Sequence, residues 1–331
     1  MSDLAANPAL ERRASGRGLL IAGAALVAVA GALVPFWTTG APFLLMVASQ
    51  AVIAAILALS LDLLTGNTGL LSFGHAAWFG FGAYVAGLLA KLVTPEMLIV
   101  VPTTVIAACL VAAVTGAVLV RQIGKTFAIL TLALSQIMFA LVFVASDITG
   151  GEDGLQGVPV MTVLGQPVVQ AQTWYWLLYG VLLAALAASL HIRRSPLGRA
   201  WLSIRENAER ARFIGIDVNG LKLLAFVMSA GLGALAGALL ALFNGAASPD
   251  LLSWFESGKI LMFVVLGGVG TLVGPVLGGI VFTFAEHYVS SLTSAWLIYF
   301  GGLFILIVIV APGGIFGVLG HAWRRMQGQG R

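Results

Sequence analysis

The side chains best suited to bind a metal or act as nucleophiles are four histidines, His75, His191, His287 and His321, and one cysteine, Cys109. They lie far apart and show no paired ligand spacing, so neither a thiol–imidazole metal site nor a disulfide framework can be built within the chain. Gly124-Lys125-Thr126 ends like a phosphate-binding loop, but Leu119 stands where the first glycine of that loop belongs. Gly80-Phe81-Gly82 and Gly268-Val269-Gly270 lack the spacing of a dinucleotide turn and open no βαβ unit. The expectation is a chain with no metal and no cofactor of its own, and not an enzyme. Three ionisable residues in apolar surroundings remain. His75 is a pathway candidate, because ionisable groups inside a membrane are costly and often functional. The alternative is a neutral imidazole bonded to backbone. Asp62 and Glu286 are each compatible with a place at a membrane boundary, in water.

The surrounding composition explains why the chemistry is so sparse. Of 331 residues 60% are hydrophobic and 9% charged, against roughly 25% charged in soluble domains. A soluble fold of this composition would expose large apolar patches, which soluble monomers avoid. At about 20 residues per spanning helix, long apolar runs lie at 19–37, 42–64, 70–90, 97–119, 126–146, 173–190, 221–243, a broken 259–285, and 294–311. They are too long, and alternate too little, for barrel strands. The fold class expected is all-α: a polytopic transmembrane helical bundle.

Basic residues set the orientation. Fifteen of the seventeen fall in four clusters, at Arg12–Arg17, Arg121–Lys125, Arg193–Lys222 and Arg324–Arg331. The positive-inside rule places all four in the cytoplasm. The net charge of +4 therefore reports topology and lipid contact, and nucleic-acid binding is rejected. The link 147–172 carries Asp147, Glu152 and Asp153 with no Lys or Arg, and so faces outward. Both chain ends then lie inside if eight runs cross and the segment 259–285 enters and returns on one face. The expected organisation is a cytoplasmic tail 1–18, one transmembrane domain 19–311 with a cytoplasmic loop 191–222 and an outer loop 147–172, and a cytoplasmic tail 312–331.

Two glycine-rich breaks interrupt the runs: Gly66, Gly69 and Gly74 in one half, and Gly267, Gly268, Gly270 and Gly274 in the other. Interrupted segments at corresponding places point to an inverted-repeat transporter with its pathway between them. The competing explanation is close helix packing, which small residues permit in lipid. In the loop 191–222, Ser195-Pro196 is a good helix start. Leu197, Trp201, Ile204, Ala208 and Ala211 then make one continuous face, and Gly215 can end the helix in a left-handed turn. Such a helix either lies on anionic lipid or docks a partner. Glu206, Glu209 and Asp217 would gain nothing from anionic lipid and favour docking.

Glu209-Arg210-Ala211-Arg212-Phe213-Ile214-Gly215 resembles the E-A-A-x-x-x-G loop of ABC importer permeases, with Arg210 in place of the second alanine. The wider string Arg194 to Asn207 with Gly215-Ile216-Asp217-Val218 is similar to the LivM-type branched-chain amino acid permeases and the related urea permeases. So are Gly69-Leu-Leu-Ser-Phe-Gly74-His75, Thr126 to Ala133, Thr149 to Leu155, and Leu266 to Leu272. Together these cover nearly the whole chain. The resemblance implies a permease subunit in a bacterial inner membrane, paired with a LivH-type permease, two cytoplasmic ATPase subunits that bind the ATP, and a periplasmic amino-acid-binding protein. Arg199, Arg205, Glu206, Glu209, Ala211 and Gly215 become candidates for ATPase coupling, and Glu152 and Asp153 for contact with the binding protein. Urea or amide transport, and secondary transport without ATPases, are the alternatives.

Overall fold

Because the apolar runs are long and unbroken by charge, they fold as helices whose backbone groups are satisfied internally, the condition for crossing lipid. The computed structural model describes residues 8–38, 40–122, 124–293, 295–310 and 313–317. In chain order the helices are α1 (Pro8–Trp37), α2 (Pro42–Thr68), α3 (His75–Leu92), α4 (Met97–Leu119), α5 (Lys125–Val144), the single turn α6 (Ser146–Thr149), α7 (Ala171–Arg194), α8 (Pro196–Glu206), α9 (Ala208–Phe213), α10 (Val218–Asn244), α11 (Trp254–Gly267), α12 (Val273–Leu292) and α13 (Trp296–Val310). Five of these, α2, α4, α5, α7 and α10, are long and apolar enough to cross a membrane by themselves. The chain is an all-α, multi-pass membrane bundle.

At the centre stand α2 and α10. The most apolar stretch of α2 is 83% buried, against 28% for α4 and for α5, which are peripheral. Each helix that follows a glycine-rich stretch packs along the long helix of the other half, α3 along α10 and α12 along α2. Where α3 meets α10 the backbones touch. A Cβ on Gly237 would lie 1.7 Å from the Phe79 carbonyl oxygen, and one on Gly82 would lie 2.1 Å from that of Ala234.

The broken segment is a helical hairpin. Gly267 lies against Gly274, Phe263 stacks edge-on with Phe282 at 4.9 Å, and Lys259 pairs with Glu286 at 3.1 Å. At 14 residues α11 is about 21 Å long, short of a full crossing. From the tip, α12 runs back along α2, with Gly279 against Ala54. Gly23 of α1 and Phe316 both lie beside the hairpin tip. There they join the 120–125 link and α8–α9, around a second core containing Leu64, Leu119, Phe127, Trp201 and Ile204.

The opposite end is capped by residues 145–170. Leu155 pairs with Ala247 and Val158 with Gly245, and Lys91 donates to the Gln156 carbonyl. This cap holds the only strands among the described residues, β1 (Thr162–Val163) and β2 (Gln166–Pro167), antiparallel with Val163 opposite Gln166. The turn between them has positive φ at Leu164 (53°) and Gly165 (77°).

Several boundaries differ from expectation. Helix α1 begins at Pro8, within the stretch 1–18 read as a tail. The run 70–90 is helical only from His75, because Gly69 closes α2 in the left-handed conformation (φ 76°) and residues 69–74 stay unwound. Gly66 is not in the break at all but in the last turns of α2. Residues 1–7 and 318–331, with the terminal arginines, lie outside the described residues.

Candidate functional site

The two glycine-rich stretches, 200 residues apart in sequence, meet in space. Gly66 faces Gly270 so closely that a Cβ on Gly66 would lie 2.7 Å from the Gly270 Cα. The hairpin tip is an irregular turn with Gly268 (φ 111°), Gly270 (φ 82°) and Leu272 (φ 62°) in left-handed territory. For Leu272, a γ-branched residue buried completely, that conformation is strained and needs support. Asp62 supplies it. Its fully buried carboxylate accepts the N–H of Gly270 at 2.5 Å and that of Leu272 at 3.0 Å. Asp62 is therefore not at a boundary in water, as the sequence allowed, but buried as the anchor of the tip.

Arg205 belongs to α8. Ser195 caps that helix by accepting from Gly198 N–H, and Pro196 occupies its first position. Trp201, Ile204 and Ala211 are buried in the chain's own core, and Trp201 Nε1 donates to the Leu221 carbonyl at 2.8 Å. This fixes α8 against the start of α10. From there the Arg205 guanidinium donates to the Gly66 carbonyl at 2.5 Å and lies beside Gly270. One side chain thus bridges the loop 191–222 and the junction of both glycine stretches.

The expected continuous helix is two helices. Asn207 interrupts it and caps α9, its side chain accepting from Arg210 N–H at 2.9 Å. Asparagine competes with the helix for backbone donors, which explains the break. Asp217, read as part of a docking face, caps α10 by accepting from Gly220 N–H. Gly215 has the expected left-handed conformation (φ 87°). Arg199, Glu206 and Glu209 are exposed, whereas Ala211 is buried and holds α9 in place. Sequence reasoning missed Phe213 and Ile214, 89% and 72% exposed at the tip of this charged loop. Their signal was an apolar pair at the end of an otherwise polar segment.

His75 is buried at the first position of α3. Its Nε2 shares a hydrogen bond with Ser60 Oγ at 2.8 Å, and the Ser60 carbonyl accepts from Ser229 Oγ at 2.6 Å. These contacts tie α2, α3 and α10 together just above the junction. Gly74 is a close-packing position, since a Cβ there would lie 1.8 Å from the Thr131 carbonyl oxygen. Gly69 lines a cavity of about 630 Å³ between the unwound segment and α5. Gly268 abuts residues 313–314.

At the other end, Glu152 and Asp153 are exposed on the cap. Glu96 holds the β1–β2 turn: its carboxylate accepts from Thr162 Oγ1 (2.8 Å), Leu164 N–H (2.8 Å) and Gly165 N–H (3.2 Å). The Thr162 hydroxyl, followed by the two amides, holds its pKa below the ordinary 4.5. The contribution to turn stability is complete above the ordinary value and is lost as pH falls through the depressed one. Protection of the Leu164 and Gly165 amides, taken against their intrinsic exchange rates at each pH, is expected to be lost in that acid range. In Glu96→Gln it should be lost already at neutral pH; equal protection in the two proteins would remove Glu96 as the anchor.

A bundle of membrane helices with paired discontinuous segments, and a polar loop rooted in their junction, defines a membrane permease. The sequence matches, over residues 43–312, the family described as branched-chain amino acid transport system, permease component. The chain belongs to that family. It is 29% identical over 292 residues to the high-affinity branched-chain amino acid transport system permease protein LivM of Escherichia coli K12, covering 81% of this chain and 69% of that one. The permease protein BraD of Pseudomonas aeruginosa is 25% identical over 80% of this chain and 91% of its own length. LivH of Escherichia coli K12 is 35% identical over 141 residues, 41% of this chain and 44% of LivH. No solved structure matches. The family is one of transport permeases, not of enzymes.

Proposed function

We propose that this chain is the permease subunit of an ATP-driven importer of branched-chain or closely related amino acids in a bacterial inner membrane. In this reading it pairs with a LivH-type permease. Two ATPase subunits dock on the loop 191–222 from the cytoplasm, where both termini also lie, and a periplasmic binding protein delivers substrate to the cap that carries Glu152 and Asp153. ATP is bound by the ATPase subunits.

The observation that carries the reading is Arg205. A loop that merely rested on lipid would have no use for a cation reaching the meeting point of both discontinuous segments. A loop that transmits force does. The exposed Phe213–Ile214 pair, ringed by Glu209, Arg210 and Arg212, has the make-up of a docking tip: an apolar centre with a charged rim. A partner moves the permease only by binding one of its conformations better than another. Arg205 gives ATPase docking a route to the hairpin tip.

The test is copurification and uptake. Phe213→Ala combined with Glu209→Lys is expected to lose the ATPase subunits from the purified complex, along with ATP-dependent uptake. ATP-independent uptake by this chain alone, undisturbed by those changes, would identify a secondary transporter instead.

A further inference from the structure

Above the junction, between α2, α3, α10 and the hairpin, lies a cavity of about 230 Å³. Its rim, at Asn244 and Leu251, adjoins the outer cap, since Val158 N–H donates to the Gly245 carbonyl. One wall is aliphatic and aromatic, with Ile53, Leu57, Phe79 and Leu240. The opposite wall carries Glu256 and Lys259 of α11. Lys259 Nζ sits 3.3 Å from Glu256 and 3.1 Å from Glu286 of α12, each of the three side chains being 15–21% exposed. Most basic residues among the described ones are at the far end of the bundle. Lys259 is set inside it, in a cluster of one cation and two carboxylates, where burial is costly unless the charges are used.

Resting on the transport reading above, we propose that this cavity is a transit site for a zwitterionic aliphatic amino acid. The substrate ammonium pairs with Glu256, its carboxylate takes Lys259, which also pairs with Glu286, and its side chain lies on the Ile53–Leu57–Leu240 wall. Bare hydrocarbon would gain nothing from the charges, and a simple cation would answer the net negative charge of the cluster but leave the aliphatic wall unused. A zwitterion satisfies both signs at once. The site is also placed to respond to coupling. Lys259 and Glu286 ride on the two arms of the hairpin whose tip is held by Asp62 and Arg205, so movement of the tip re-spaces the charges and releases the substrate.

The experiment uses the whole complex (both permeases, ATPase subunits and binding protein) in proteoliposomes, with radiolabelled leucine. Lys259→Gln is expected to reduce leucine uptake by about tenfold or more, the scale of one charge-assisted contact, and Lys259→Arg to restore a large part of it. Because Lys259→Gln leaves two carboxylates facing each other, the double variant Lys259→Gln, Glu286→Gln serves as the folding control. It should purify with its ATPase subunits and still fail in uptake. In an otherwise unaltered complex, Asn244→Cys should be labelled from outside by an impermeant thiol reagent, more slowly with leucine during turnover. Full uptake by Lys259→Gln and by the double variant, with labelling indifferent to leucine, overturns the site and leaves the transport reading standing. Failure of the unsubstituted complex to take up leucine with ATP overturns both.

Discussion

Replacing Arg205 with alanine is expected to leave the importer assembled and able to hydrolyse ATP, while ATP-driven uptake falls by about one to two orders of magnitude. Trp201, Ile204 and Ala211, not Arg205, hold α8 and α9 on the bundle, so the loop keeps its place and its docking surface. What disappears is the charged hydrogen bond to the Gly66 carbonyl and the guanidinium beside Gly270. A hydrogen bond to a charged group is worth roughly 1.5–3 kcal/mol, and each 1.4 kcal/mol is about a factor of ten in an equilibrium. Arg205→Lys keeps the charge but not the planar fork, and should fall between. The measurement is the ratio of leucine transported to ATP consumed in proteoliposomes. An unchanged ratio in Arg205→Ala would separate the loop from the hairpin.

Asp62→Ala should be the most destabilising single change in the molecule's interior. It orphans the buried N–H groups of Gly270 and Leu272, at roughly 1–3 kcal/mol each, and removes the support that keeps Leu272 at positive φ. Asp62→Asn restores one acceptor but turns an amide donor toward the other N–H, and is expected to be intermediate. Leu272→Gly in the Asp62→Ala background relieves the backbone strain and should recover part of the loss. Thermal unfolding midpoints in detergent check the series. A wild-type midpoint for Asp62→Ala would mean that the tip is held by something other than this carboxylate.

How much of this was legible in the sequence depends on the range of the interaction. The spans were, because each is a long apolar run whose hydrogen bonds are internal; α4 occupies 97–119 as read, and α10 extends the run 221–243 by a few residues. The turn of the hairpin was legible through the helix-breaking run Gly267–Pro275. The buried face Leu197–Ala211 followed from helical spacing, although Asn207 divides it through a side-chain cap that periodicity does not register. The site itself was mostly hidden. Asp62 was a visible oddity, a carboxylate in a 27-residue apolar helix, but nothing local tells it that its partners are Gly270 and Leu272. Arg205 looked like one more arginine of a charged helix, and only its bond to Gly66 sets it apart. Its reach to Gly66 depends on how α8 is anchored by Trp201. Lys259 and Glu286 are likewise paired only by the fold of the hairpin. Gly66 was grouped with the break from its spacing, yet it serves as a contact point on an intact helix.

Site-directed cross-linking between the loop 191–222 and the ATPase subunits tests the central claim most directly. The chain has a single cysteine, Cys109, so Cys109→Ser with Phe213→Cys places one thiol at the exposed tip. The account predicts a cross-link to a nucleotide-hydrolysing subunit, with a yield that differs between the ATP-bound and nucleotide-free complex. A thiol that reaches no such subunit in either state would contradict it.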